Sequence, residues 1–287
     1  MATEPTCARW TAKVPKVMAE VMTVGTCLRQ LRRRRLISMS SATRPLAIDA
    51  QHLVKRYKNK TAVDDISLQV PVGETFGLLG TNGAGKTTTV EMIAGLRRPT
   101  KGSVRILGLD PFSNEAEVRQ VLGVQLQEAN LHDALTAREL VDLYRSFYPH
   151  PLDADQALAM VELQDKAKTR FSRLSGGQKQ RLSIALALIG QPQVVILDEL
   201  TTGLDPKARR RVWSTIESLK DQTVILISHA MDEVERLCDQ VLIIDAGRII
   251  ARGSPAELKA QATAATLEDA FVQLTGKALL DEEEDYR

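Results

Sequence analysis

An α/β fold with a mostly parallel sheet is the reading on which three patterns in this 287-residue sequence agree. Residues 194–197, 223–227 and 241–244 are compact apolar runs without polar alternation, as expected of strands buried on both faces of a parallel sheet. Residues 75–79 form a further short apolar strand, which runs straight into a glycine-rich loop and then a helix. Between residues 135 and 189 the signals turn helical, so a helical insert interrupts the α/β core.

In chain order, residues 46–54 and 61–70 read as strands that precede the core, the second setting Ile66, Leu68 and Val70 on one face. After the strand at 75–79, residues 87–96 read as a helix ended by Arg97, Arg98 and Pro99. Residues 104–107 give another strand. In the insert, Val141, Tyr144 and Phe147 recur at i, i+3 and i+6, and residues 182–189 form a buried helical face. Ala246-Gly247 before Arg248-Ile249-Ile250 reads as a hairpin turn. Acid pairs such as Asp232-Glu233 read as solvated helix faces, and residues 277–287 as an acidic, solvated tail.

Charged residues at 26% and apolar ones at 44% describe an ordinary globular chain with enough length to bury a substantial core. No run approaches the roughly 18 to 20 apolar residues that span a bilayer, so any membrane path belongs to another chain. The net charge of +2 conceals an asymmetry: residues 1–45 carry +7 and the remainder −5. A mildly acidic body argues against a broad nucleic-acid face. The basic extension over residues 1–45 has three open readings: an over-called start with translation from near Met39, a basic arm that meets anionic lipid or a partner, or an organellar transit peptide. In the first two it is disordered or absent. Cys7, Cys27 and Cys238 are odd in number and widely spaced, which fits neither a disulfide framework nor a zinc site and suggests a reducing compartment.

The chemistry lies in three motifs. Gly80-Thr81-Asn82-Gly83-Ala84-Gly85-Lys86-Thr87, followed by Thr88, is a complete phosphate loop. Its glycines let successive N–H groups converge on phosphate oxygens, Lys86 reaches the β- and γ-phosphates, and the Thr87 hydroxyl reaches Mg²⁺. Asp198 and Glu199 end an apolar strand, where Asp198 suits a Mg²⁺ contact and Glu199, pointing elsewhere, suits a general base. Between them lies Leu174-Ser175-Gly176-Gly177-Gln178, whose serine and glycine N–H groups open a helix and form an anion site of their own.

With that pentapeptide between phosphate loop and acidic strand, residues 46 to about 276 resemble the ATPase subunit of an ATP-binding cassette (ABC) transporter. The closing residues Thr266 to Phe271 with Leu274-Thr275-Gly276 resemble the drug- and lipid-export branch, of multidrug or daunorubicin-resistance type. The resemblance implies a P-loop NTPase (RecA-like) core with an antiparallel β subdomain and an α-helical subdomain inserted at about 128–190. It implies ATP and Mg²⁺ as cofactors, His229 on the γ-phosphate, Tyr57 stacked on adenine, and Asp205 in a loop that crosses to another subunit. It also implies a glutamine that senses Mg²⁺ and water. Gln127 fits this role best, because Leu131 and residues 135–139 follow it at the family's spacing, with Gln125 as its competitor. In the family, Ser175, Gly176, Gly177 and Gln178 would act on ATP held by another subunit, so a head-to-tail dimer with a second copy or a homologue is expected. A membrane-spanning permease is the further partner, no nucleic acid is expected, and the place is the cytoplasmic face of the plasma membrane. The alternative is a non-transport cassette acting on DNA or ribosomes; a regulatory cassette without catalysis is opposed by Glu199 and His229. Leu200 departs from the family's usual proline, with an altered loop stiffness and intact catalysis as the expectation.

Overall fold

A computed structural model describes residues 44–126, 131–219 and 221–276. The expectations for residues 1–43, for Gln127 and for the tail 277–287 fall outside them.

Two long strands, β1 (Leu46–Tyr57) and β2 (Lys60–Pro71), pair antiparallel, and β4 (Lys101–Ile106) adds to the free side of β1. This three-stranded sheet covers one face of a second, six-stranded one. The second contains β3 (Thr75–Leu79), β5 (Leu122–Gln125), β6 (Val194–Asp198), β7 (Thr223–Ile227), β8 (Gln240–Asp245) and β9 (Arg248–Gly253), in the spatial order β5-β6-β7-β3-β8-β9. All neighbours are parallel except β8 and β9, which form the expected hairpin. Ala246 and Gly247 both take positive φ in its turn, as a two-residue hairpin of this hand requires.

Burial on both faces explains why the middles of the central strands show no polar alternation. Ile225 and Ile227 face a core shared with the antiparallel sheet, while Val224 and Leu226 face a second core under helices. The first core takes in α1 (Lys86–Ile93). The second takes in α6 (Pro206–Glu217), α7 (Met231–Leu237), α8 (Pro255–Ala262) and α9 (Leu267–Thr275). Between α1 and β5 lies α2 (Glu115–Val121). The insert holds α3 (Ala137–Arg145), α4 (Ala154–Met160) and α5 (Gly176–Leu188), which pack around a third core of their own.

Two expectations need adjustment. The helix after the phosphate loop ends at Ile93, where Ala94 caps it and Gly95 turns left-handed, rather than running to Leu96. Phe147 lies beyond the end of α3 and is 61% exposed, so the i, i+3, i+6 series stops at Tyr144, whose ring it meets edge-on at 5.8 Å. Among the described residues no helix is long and apolar enough to cross a membrane.

Candidate functional site

Register decides where the site forms. Leu78 of β3 pairs with Ile227 of β7, and Ile227 pairs with Asp198 of β6. The three strands therefore end level. Gly80, Glu199 and His229 leave the sheet side by side at its carboxyl edge, where open α/β sheets bind ligands.

The phosphate loop is shaped by a close approach. Gly85 has φ 103°, and a Cβ there would lie 2.4 Å from the Ala62 carbonyl oxygen, so only glycine fits. Asn82, Gly83 and Thr87 are exposed, Thr88 is half-buried and Ala84 is buried. Lys86 is buried, and its Nζ donates to the carbonyl oxygens of Gly80 (2.8 Å) and Thr81 (3.0 Å). The ammonium thus sits inside its own loop, on acceptors that it can exchange for phosphate oxygens.

Asp198 is 2% exposed, and burial pushes its carboxyl up to about 6, with the Glu199 charge adding and Lys86 opposing. A folded value above the free one means that the folded chain holds the extra proton. Ionisation then costs stability as pH rises from about 4 towards 6. A cation beside Asp198 removes that cost, which is what a metal-binding carboxylate needs. The Asp198 N–H donates to Gln125 Oε1 (3.2 Å), and Gln125 Nε2 donates to the Leu126 carbonyl (2.8 Å). Gln125 is therefore a buried brace between β5 and β6.

Glu199 takes φ 48° directly after the strand, and its N–H donates to the Ile227 carbonyl at 2.9 Å. Its Oε1 lies 2.9 Å from His229 Nε2, so the sequence-predicted base and the sequence-predicted γ-phosphate contact already meet. Leu200 is fully buried in the second core and anchors the turn that Glu199 begins.

One sequence expectation is overturned here. Asp232 is solvated, but Glu233 is fully buried. Its carboxylate accepts from Ser228 Oγ (2.5 Å), Thr201 Oγ1 (3.1 Å) and Trp213 Nε1 (3.0 Å). Burial holds its pKa above the usual carboxylate range, and the three donors offset that only in part. The missed signal was helical spacing: Glu233 shares the inner stripe of α7 with Leu237 at i+4, next to buried Val234.

The residues of the pentapeptide 174–178, the signature motif, lie at a second place, where α5 and α6 begin. Ser175 and Gly176 are exposed, and Ser175 caps α5 in a reciprocal box with Gln178: its Oγ accepts the Gln178 N–H (3.4 Å), while Gln178 Oε1 accepts the Ser175 N–H (2.9 Å). A Cβ on Gly177 would lie 2.9 Å from Ala208 Cβ, so the absent side chain lets the start of α5 approach α6. Asp205, also exposed, caps α6 through the N–H groups of Lys207 and Ala208 (2.9 and 3.0 Å). Tyr57, at the end of β1, is 38% exposed, with Lys55 Nζ and the Arg97 guanidinium 5.4 and 5.5 Å from its ring centre.

A phosphate loop, a strand-end acid pair and a histidine at one sheet edge define a nucleotide-hydrolysing P-loop protein; the capped Gly-Gly helix narrows the class. The chain matches the ABC transporter family over residues 63–202. It is 40% identical over 237 residues to the Nod factor export ATP-binding protein I of Neorhizobium galegae, covering 80% of this chain and 68% of that one. Among solved structures it is similar to the ATP-binding subunit of an ABC transporter, with a TM-score of 0.73, 27% identity, and 80% and 99% of the two chains covered. It is also similar to a dimeric ATP-binding cassette in a post-hydrolysis state bound to ADP and phosphate, with a TM-score of 0.65, 27% identity, and 72% and 98% covered. The chain belongs to the ABC transporter family, as an ATP-binding subunit that hydrolyses ATP to serve transport. These likenesses favour transport over work on DNA or ribosomes.

Proposed function

We propose that two copies, or this chain and a homologue, sandwich two ATP molecules and drive export through a separate membrane-spanning permease at the cytoplasmic face of the plasma membrane. The observation that carries the reading is the shared edge: the Lys86 loop, Asp198 and the Glu199–His229 pair leave three parallel strands at one level. Export rests on the likeness to a Nod factor export protein, and the second copy on the likeness to a dimeric cassette.

In this reading Lys86 exchanges the Gly80 and Thr81 carbonyls for β- and γ-phosphate oxygens, with Asn82, Gly83, Ala84, Gly85 and Thr88 lining the same loop. Tyr57 offers its exposed ring to adenine. Glu199 accepts the proton of the water that attacks the γ-phosphorus, as the bond to the β–γ bridging oxygen breaks. His229 leaves Glu199 for a γ-phosphate oxygen, which frees the carboxylate to act as base. Thr87 and Asp198, with Gln127, would hold Mg²⁺, whose charge would offset that of the phosphates. The partner copy would supply its Ser175 hydroxyl, its Gly176 and Gly177 N–H groups, Gln178 and its Asp205 loop; the exposure of Ser175, Gly176 and Asp205 supports this.

Glu199→Gln tests the assignment. The variant should bind ATP and dimerise, while turnover falls about 100-fold or more, the scale of a lost general base. Undiminished hydrolysis overturns it.

A further inference from the structure

We propose that Glu233 is a positioning residue for ATP hydrolysis, holding the Glu199 and His229 segments in register from beneath the site. The inference rests on the roles just assigned to Glu199 and His229. Thr201 follows Glu199 by two residues, and Ser228 immediately precedes His229. Both hydroxyls donate to the same oxygen, Oε2 of Glu233. The other oxygen accepts from Trp213 on α6, the helix that Asp205 caps. One buried carboxylate therefore ties together the segment after the base, the segment before the histidine and the helix behind the loop at 202–205.

The donor set explains why a carboxylate stands there. All three partners donate, and an ionised carboxylate accepts from all three without conflict. Ser228 Oγ is further committed as acceptor of the Ala230 N–H at 3.0 Å, so its proton has Glu233 as its target. A glutamine fills the same space but presents an NH₂ group to at least one donor. Burying a charge to brace a loop is costly, and packing alone would be met more cheaply by an apolar side chain. The geometry that gains is the reach between Glu199 and His229, now 2.9 Å. A shift of about 1 Å at reacting groups can cost on the order of 100-fold in rate while leaving substrate affinity nearly unchanged.

The test is ATP hydrolysis by the purified full chain, with kcat and KM separated, alongside the thermal midpoint. Glu233→Gln should lower kcat about tenfold or more and leave the KM for ATP within about twofold. Thr201→Val, which removes one donor and keeps the bulk, should lower kcat in the same sense but less, and carries the test if Glu233→Gln does not fold. In a Glu199→Gln background the Glu233 change should remove little further activity, because residues acting through one group are not additive. A lowered midpoint with unchanged kcat, or a loss confined to KM, overturns the proposal. If Glu199→Gln itself keeps full turnover, the assignment of the base has failed instead, and the two failures are told apart by that single variant.

Discussion

Leu200 follows Glu199, the proposed base, where the resemblance to the family leads one to expect proline, and it does the work of a core residue. It is fully buried among the second core's side chains, so it fixes the turn by packing and not by a restricted backbone. Leu200→Ala should cost about 2 to 5 kcal/mol in denaturant unfolding, the range for truncating a buried leucine. Hydrolysis per folded molecule at low temperature should survive, because the Leu200 side chain packs into the second core. A loss of hydrolysis without a loss of stability would show that its side chain acts on the chemistry. At this scale the sequence was legible wherever chemistry was local in sequence. Gly80 to Thr87 and Asp198-Glu199 carry their proposed roles in consecutive residues. Glu233 was illegible because its partners come from three other segments, and an acid after an acid on a helix looks solvated until the neighbours are known. Gln125 was ambiguous for the same reason: its bond to the Asp198 N–H spans two strands that only the fold makes adjacent.

Strands were read closely because burial on both faces leaves a compact apolar run, and 75–79 and 223–227 have the bounds read from sequence. Helix ends were read less well, since caps decide them. Gly95 and the turn at Ser146 stop α1 and α3 against an apolar pattern that Leu96 and Phe147 carry on in sequence, although both are exposed. The caps also separate structural from functional serines. Ser175 and Ser254 both form reciprocal boxes, with Gln178 and Glu257 respectively. Replacing either by alanine should lower stability by about 0.5 to 1 kcal/mol, the low end for a lost N-cap. Only Ser175→Ala should also lower ATP turnover in the dimer, because only that hydroxyl is proposed to reach the ATP of the partner copy. Equal turnover in the two variants would reduce Ser175 to a cap.

At the level of the whole molecule, the proposed chemistry is divided between two faces that one copy does not have to join. The phosphate loop, Asp198, Glu199 and His229 share the carboxyl edge of the parallel sheet, while Ser175 and Gly176 stand exposed where α5 begins in the inserted helices. If these faces meet only between copies, two inactive variants should repair each other. A Lys86→Ala chain retains Ser175, and a Ser175→Arg chain retains Lys86. Each variant alone builds two sites that both lack one motif, so each should be nearly inactive. In a mixed dimer, one site combines the intact phosphate loop of one chain with the intact signature of the other, and the second site has neither. Random pairing of equal amounts makes half the dimers mixed, so the mixture should recover about a quarter of the original activity. Recovery should rise with dwell time as dimers exchange partners, and should vanish when the two variants are held apart by covalent linkage of like with like. A mixture no more active than its components would mean that each chain uses its own signature, and the head-to-tail sandwich would fall with it.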